Sequence, residues 1–178
     1  MPKLIHQKSS VVIDSSCFIH LERLGLLTQL VIRYEPVYIP RYVFEEVGRK
    51  GKRKHSLKLL LRQYPFLKIC RIEDPYSVQL LSDRNLNPQA PIDRGEAEAI
   101  IQAQERGISE VLIDDRKGRG FAEKHSLQVK GTLGILMEFK RIGFVPEIKP
   151  LIDQLRQSRT FPISKKLIQA ALREMNED

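Results

Sequence analysis

Residues 10–14 read Ser-Val-Val-Ile-Asp, and residues 111–115 read Val-Leu-Ile-Asp-Asp. Each is a short apolar run followed by aspartate, and apolar runs of this length are typical of buried strands in a parallel sheet. Helical spacing follows both runs. In an open α/β sheet, ligands bind outside the carboxyl ends of the strands. The two runs therefore predict a parallel sheet, with acidic side chains meeting at one edge of it.

The rest of the chain alternates strand-like runs with helical spacing. Further strands are expected at 37–39, 67–72 and 127–130. Helices are expected at 15–30 with a break at Gly25, from Arg41 onward, and at 75–84, 93–106, 116–125 and 133–141, followed by two helices separated by Pro162. Such alternation predicts an α/β fold with helices on both faces of a mostly parallel sheet.

Composition limits the class of protein. A chain of 178 residues with 42% hydrophobic and 29% charged residues is long enough for one folded domain with its own core. The net charge of +8, despite 22 acidic residues, suits a polyanionic partner, although solubility alone would also explain it. Cys17 and Cys70 are too few for a disulfide framework or a zinc site. We expect a soluble cytoplasmic protein, with no membrane partner.

Acidic side chains at the predicted strand ends and on the following helices are candidate metal ligands. Several carboxylates held together repel one another unless a hard cation such as Mg²⁺ or Mn²⁺ neutralises them. A shared metal would suit cleavage of phosphodiester bonds. Helix capping is the alternative for Asp14, for one residue of the Asp114-Asp115 pair, and for Glu96 together with Asp93.

Helical spacing indicates which glutamates face inward. Glu46 shares a helix face with two valines, which directs it toward the interior or a cleft. Glu96 lies on the apolar face of its helix with Ile100. Glu98 is expected on the solvent-facing side, so Glu96 is the preferred candidate of the two.

Four ordered segments resemble the motifs of PIN-domain nucleases. They are residues 11–16, 39–47, 93–100 and 111–116. Gly-Glu-Ala-Glu-Ala at 95–99 and the segment 131–136 are similar to a PIN-like subfamily of bacteria and archaea, often described as predicted nucleic-acid-binding proteins. The resemblance covers about residues 8–155.

The resemblance implies a three-layer α/β/α sandwich and a Mg²⁺- or Mn²⁺-dependent endoribonuclease, frequently the toxin of a toxin–antitoxin pair. It places the metal ligands at Asp14, Glu46, Glu96 and Asp114, and adds Asp115 and Ser15 to the catalytic set. The third acid is usually aspartate in the family, so Glu96 is a departure. A non-catalytic nucleic-acid-binding or regulatory module acting through a protein partner is the alternative.

A basic run at 49–55 follows the Glu46 helix. It is either a solvated loop or a surface for RNA phosphates. The candidate RNA-binding residues are Arg49, Lys50, Lys52, Arg53, Lys54, Lys117 and Arg119. The four histidines, His6, His20, His55 and His125, show no metal spacing and are assigned no role.

The end of the chain lies outside the resemblance. We expect a nuclease domain over residues 1–155 and a helical extension over 156–178. Apolar residues at helical spacing in the extension either pack on the domain or form a surface for an antitoxin or a second copy of the chain.

Overall fold

The computed structural model describes residues 8–50, 57–90, 92–157, 161 and 163–177. The strands in these residues are β1 (Ser9–Ile13), β2 (Tyr34–Pro40), β3 (Leu67–Cys70), β4 (Glu110–Leu112) and β5 (Gln128–Lys130). The helices are α1 (Ser15–Arg23), α2 (Arg41–Lys50), α3 (Leu57–Gln63), α4 (Pro75–Ser82), α5 (Arg94–Glu105), α6 (Arg116–Lys124), α7 (Thr132–Arg141), α8 (Lys149–Gln157) and α9 (Lys165–Glu174), with a 3₁₀ helix at Leu27–Ile32.

The five strands form one parallel sheet in the order β3-β2-β1-β4-β5. The chain runs outward from β1 through β2 to β3, and then returns to the other side of β1 with β4 and β5. The strand order therefore reverses between β1 and β4, where Ile13 is paired with Leu112. In sheets of this kind the crevice for ligands lies at that reversal. The predicted α/β fold is confirmed.

Alternate residues of the central strands enter two separate cores, because neighbouring side chains of a strand point to opposite faces. Val11 and Ile13 pack into a core with α1, α2, α7 and the C-terminal helices. Val12 and Val111 pack into a second core with α5 and α6. A sheet covered on both faces needs strands that are apolar throughout, which explains the continuous apolar runs.

The predicted break at Gly25 is confirmed. Helix α1 ends at Arg23, a 3₁₀ helix follows at Leu27–Ile32, and Gly25 between them has a φ of 69°, a conformation that favours glycine. Helix α3, in contrast, was not predicted. No helix among the described residues is long and apolar enough to cross a membrane.

The described part of the C-terminal extension is packed on the domain. Phe161, Ile168 and Met175 are buried in the same core as β1. Near the end of the chain, the Glu177 carboxylate accepts hydrogen bonds from the backbone N–H groups of Ile148 and Lys149, at the start of α8. It also accepts a hydrogen bond from Lys140 Nζ on α7. One side chain thus joins α7, α8 and the residues after α9.

Replacing Glu177 with alanine should lower the free energy of unfolding by about 1–2 kcal/mol, because the first N–H groups of α8 lose their acceptor and Lys140 loses its partner. Urea unfolding monitored by circular dichroism measures this. Glu174→Ala is the control, since Glu174 pairs with Arg141 at an exposed position and surface pairs contribute little. Equal effects of the two substitutions would contradict the capping role.

Candidate functional site

Two carboxylates stand at the reversal of strand order. Asp14 follows β1, and its backbone N–H donates to Leu112 O at 3.0 Å, which ties the end of β1 to β4. Its side chain caps α1 by accepting a 2.8 Å hydrogen bond from Cys17 N. Asp114 lies two residues after β4. Asp14 is 2% exposed and the Asp114 side chain 3%, so both carboxylates are held away from bulk water.

Hydrogen-bond donors surround Asp114. His20 Nδ1 lies 2.7 Å from Asp114 Oδ2, and Thr132 Oγ1 donates to the same oxygen at 2.6 Å. Thr132 N donates to Oδ1 at 2.7 Å. Burial acts to raise the pKa of Asp114, but the hydrogen bonds from His20 and Thr132 outweigh it and hold the pKa below its ordinary value. Asp114 is therefore stable as a carboxylate inside the protein.

Sequence reasoning gave His20 and Thr132 no role. His20 is 94 positions from Asp114, and its contact with that residue depends on the packing of α1 against the end of β4. The sequence offered one signal for a role of His20, namely its position in the helix that Asp14 caps. Thr132 lies inside the 131–136 segment that resembles the PIN-like subfamily, but the resemblance assigned the segment no chemistry.

Glu96 comes to the cluster from α5. Asp93 caps this helix by accepting a hydrogen bond from Glu96 N at 3.0 Å. The Glu96 carboxyl reaches α6 at Gly118, where a Cβ would lie only 2.8 Å from it. Burial first, and then the charges of Asp93 and Asp115, raise the pKa of Glu96 to about 8.

The pKa of Asp14 shows that these acids share one environment. It is raised well above its ordinary value, first by burial and then by the negative charges of Asp114, Glu96 and Asp93. Among the residues that the structure describes, no three His, Cys, Asp or Glu side chains are placed to hold one metal ion. Asp14, Asp93, Glu96 and Asp114, which we call the acid cluster, are therefore close enough to influence one another's ionisation.

The other candidate acids and Ser15 lie at the border of the acid cluster. Glu46 is half-buried on α2, and a Cβ on Gly95 would lie 3.3 Å from its Oε2 atom. Asp115 caps α6 by accepting from Lys117 N and Gly118 N, so it is the capping member of the Asp114-Asp115 pair. Ser15 is half-buried in the first turn of α1.

Two of the candidate cations lie close to the acids. Arg119 Nη1 donates to Ile113 O, and both that nitrogen and Asp114 Oδ1 lie within 2.8 Å of the point where a Cβ on Gly131 would stand. Lys117 is exposed, and its charge acts to lower the pKa of Glu96. Arg49 and Lys50 end α2, and Lys52, Arg53 and Lys54 lie outside the described residues.

Glu98 is not on a solvent-facing side, so that expectation was wrong. It is 5% exposed and accepts a 3.1 Å hydrogen bond from Arg94 Nε. Burial raises its pKa. The reason is that α5 is covered on two sides, by the sheet and by α4, so its solvent-facing stripe is narrower than helical spacing alone predicts.

Comparison with known proteins agrees with this architecture. A family model described as a PIN domain matches residues 10–177, nearly the whole chain. The chain belongs to the PIN-domain family. No curated protein matches it. The match extends through the C-terminal helices, which the sequence resemblance had left out, and it places this fold among those of nuclease type.

Glu96→Gln should make the stability of the metal-free PIN domain less dependent on pH. Because folding raises the pKa of Glu96 to about 8, the neutral acid stabilises the fold at low pH, and that contribution is lost as pH rises through about 8. The melting temperature of the wild type should therefore fall relative to Glu96→Gln between pH 5 and pH 9. Glu123→Gln, at an exposed position on α6, is the control. Parallel pH curves for the wild type and Glu96→Gln would contradict the assignment.

His20→Leu should destabilise the protein by about 1–3 kcal/mol at pH 7, because the buried Asp114 carboxylate loses a donor. His20→Asn can retain a donor near the Nδ1 position and should be less destabilising. Chemical denaturation of both variants measures the difference. If asparagine is as harmful as leucine, packing rather than the hydrogen bond explains the effect.

Proposed function

We propose that this PIN domain is a Mg²⁺- or Mn²⁺-dependent endoribonuclease acting in the cytoplasm, as the toxin of a type II toxin–antitoxin pair. The observation that carries the proposal is the burial of Asp14 and Glu96 in the acid cluster, next to the buried Asp114 side chain at the reversal of strand order. Burying two acids beside Asp114 and Asp93 is unfavourable for folding alone. A divalent cation would remove that penalty by stabilising both carboxylates.

The carboxylates of the acid cluster suit such a cation in their chemistry and in their number. Mg²⁺ prefers oxygen ligands, keeps several waters and is commonly bound through one or two carboxylates. A cation would stabilise the carboxylates of Asp14 and Glu96 most, because their pKa values are raised. Asp114 and Glu46 would then act through water, which is compatible with the lack of a preformed three-residue ligand group in the described residues.

The chain's own residues would orient the reaction. A bound Mg²⁺ or Mn²⁺ supplies Lewis-acid stabilisation of charge on the phosphate and lowers the pKa of a water. Asp114, fixed by His20 and Thr132, provides an acceptor of constant position next to Asp14. Arg119 lies near enough to Asp114 to offer positive charge to a phosphate. Ser15, which follows Asp14 at the start of α1, would contact the same ligand.

RNA as the substrate is supported by charge. The chain carries 30 basic residues against 22 acidic ones, and five of the basic residues fall at 49–54, a few positions after Glu46 in the sequence. Positive charge around an acidic cluster attracts a polyanion, and the acids then require a cation before a phosphate can approach. An antitoxin or a second copy of the chain remains the proposed protein partner.

A non-catalytic nucleic-acid-binding or regulatory module is the second candidate. The absence of a three-residue ligand group among the described residues favours it. In that case the acid cluster would be a structural feature, and RNA would bind without being cleaved.

Asp14→Asn should reduce Mn²⁺-supported RNA cleavage by at least a hundredfold while the protein stays folded, because the substitution removes a charge at nearly constant shape. Cleavage of a labelled single-stranded RNA in Mn²⁺ measures this. The matched control is Asp153→Asn, at an exposed position on α8, which should cleave like the wild type.

Metal binding can be followed separately from cleavage. Mn²⁺ should raise the melting temperature of the wild type at pH 8 and leave that of Asp14→Asn nearly unchanged. A wild type that gains stability from Mn²⁺ but does not cleave RNA would favour the regulatory module. Undiminished cleavage by Asp14→Asn would exclude the proposed site.

A further inference from the structure

A second polar site lies on the side of α5 that carries Glu98. It is a cavity of about 560 Å³ between α2, α4 and the start of α5. This is within the size range of small-molecule sites, roughly 300–1,000 Å³. We call it the arginine cavity, because its lining includes Arg41, Arg71, Arg84 and Arg94.

The charges of the arginine cavity are only partly balanced. Arg41 pairs with Glu45 at 2.9 Å, and Arg94 pairs with Glu98 at 3.1 Å. The other acid of the lining, Asp83, accepts a hydrogen bond from Asn85 N.

The other two arginines of the lining are not paired in this way. Arg71 and Arg84 are exposed, and neither forms an ion pair or hydrogen bond with any residue that the structure describes. An arginine without a carboxylate partner at the mouth of a cavity is suited to bind a phosphate, since its planar group presents several donors in a fixed geometry. The cavity thus offers two unused cationic groups to an anionic ligand.

An aromatic ring also lines the arginine cavity. The guanidinium carbon of Arg94 is 4.5 Å from the centroid of the Tyr42 ring, and both residues line the cavity. Stacked aromatic and guanidinium groups form a flat surface of the kind on which nucleobases stack. The cavity therefore combines groups suited to a phosphate with a surface suited to a base.

The arginine cavity is connected to the acid cluster through two helices. On α2, Tyr42 and Glu45 line the cavity, and Glu46 is the next residue. On α5, Arg94 lines it and directly follows Asp93, the cap beside Glu96. A strand with one phosphate at the acid cluster would thus have its neighbouring nucleotides at the cavity.

We propose that the arginine cavity binds a nucleotide of single-stranded RNA flanking the cleaved phosphate, with Arg71 and Arg84 contacting phosphates and the Tyr42–Arg94 surface contacting the base. This inference rests on the proposed function and extends it by naming where the substrate strand runs. A single strand is required because a base can stack on a side chain only when it is not stacked in a duplex.

The first test measures binding without cleavage. Anisotropy of a fluorescent eight-nucleotide RNA is titrated with protein in EDTA, at several salt concentrations, for the wild type and for Arg71→Ala/Arg84→Ala. The salt slope is the slope of the logarithm of affinity against the logarithm of salt concentration. For a single strand, each lost phosphate contact should make this slope shallower by about 0.7, so the slope of the double variant should be shallower by about 1.4. Its affinity at low salt should fall about tenfold.

The matched control removes the same charge elsewhere. Lys165→Ala/Lys166→Ala also deletes two exposed cations, in the first turn of α9. It should retain the wild-type affinity and salt slope. If both double variants weaken binding equally, general charge explains the result and the cavity assignment is overturned.

The second test addresses the base. The same RNA is made with a single abasic position, moved along the strand, and bound to the wild type and to Tyr42→Leu after circular dichroism has shown that the variant is folded. At one position, removing the base should weaken wild-type binding about tenfold and Tyr42→Leu binding much less. If no position distinguishes the two proteins, no base contacts Tyr42 and the proposal fails.

Failure of this inference can be told apart from failure of the nuclease proposal. RNA cleavage by the wild type, together with unchanged binding by Arg71→Ala/Arg84→Ala, overturns the cavity assignment alone. Binding that depends on Arg71 and Arg84, in a protein that never cleaves RNA, supports the cavity and rejects the nuclease. A wild type that binds no RNA overturns the cavity assignment whatever its other activity.

Discussion

The pairing of β1 with β4 imposes the constraint on which the candidate site depends. It places two aspartates, Asp14 and Asp114, at neighbouring strand ends inside the protein. Like charges at such a place are unfavourable unless each is compensated. Asp114 is compensated by His20 and Thr132, and its pKa is lowered. Asp14 has one backbone donor, and its pKa is raised. The cluster is therefore asymmetric, with Asp114 held ionised and the neutral form favoured at Asp14 and Glu96.

The parts of the fold that could be predicted from sequence are those that depend on local pattern. The β1 and β4 runs are apolar on both faces because helices cover the sheet on both sides, and the caps at Asp14 and Asp93 follow from the preference of aspartate for that position. The positions of Asp14 and Asp114 at the same edge followed from the rule for parallel sheets. None of these inferences needed knowledge of which helices touch.

The parts that could not be predicted are pairs formed by packing. The contact of His20 with Asp114 joins residues 94 positions apart. No local pattern specifies which side chain of α1 reaches the end of β4. The error at Glu98 has the same origin, since residues 95–103 of α5 are all buried and a helix covered on two sides lacks a broad polar face. Periodicity identifies the preferred face of a helix, but the other elements decide how much of the helix is covered.

The C-terminal extension is also linked to the candidate site. The ring of Phe161 meets the edge of the His20 ring, with centroids 5.0 Å apart, and His20 in turn contacts Asp114. Phe161, Ile168 and Met175 belong to the core that contains β1. Removing the extension would therefore expose core surface and leave His20 without its aromatic neighbour. The extension therefore packs against the side chain that compensates Asp114, and it also completes the core of the domain.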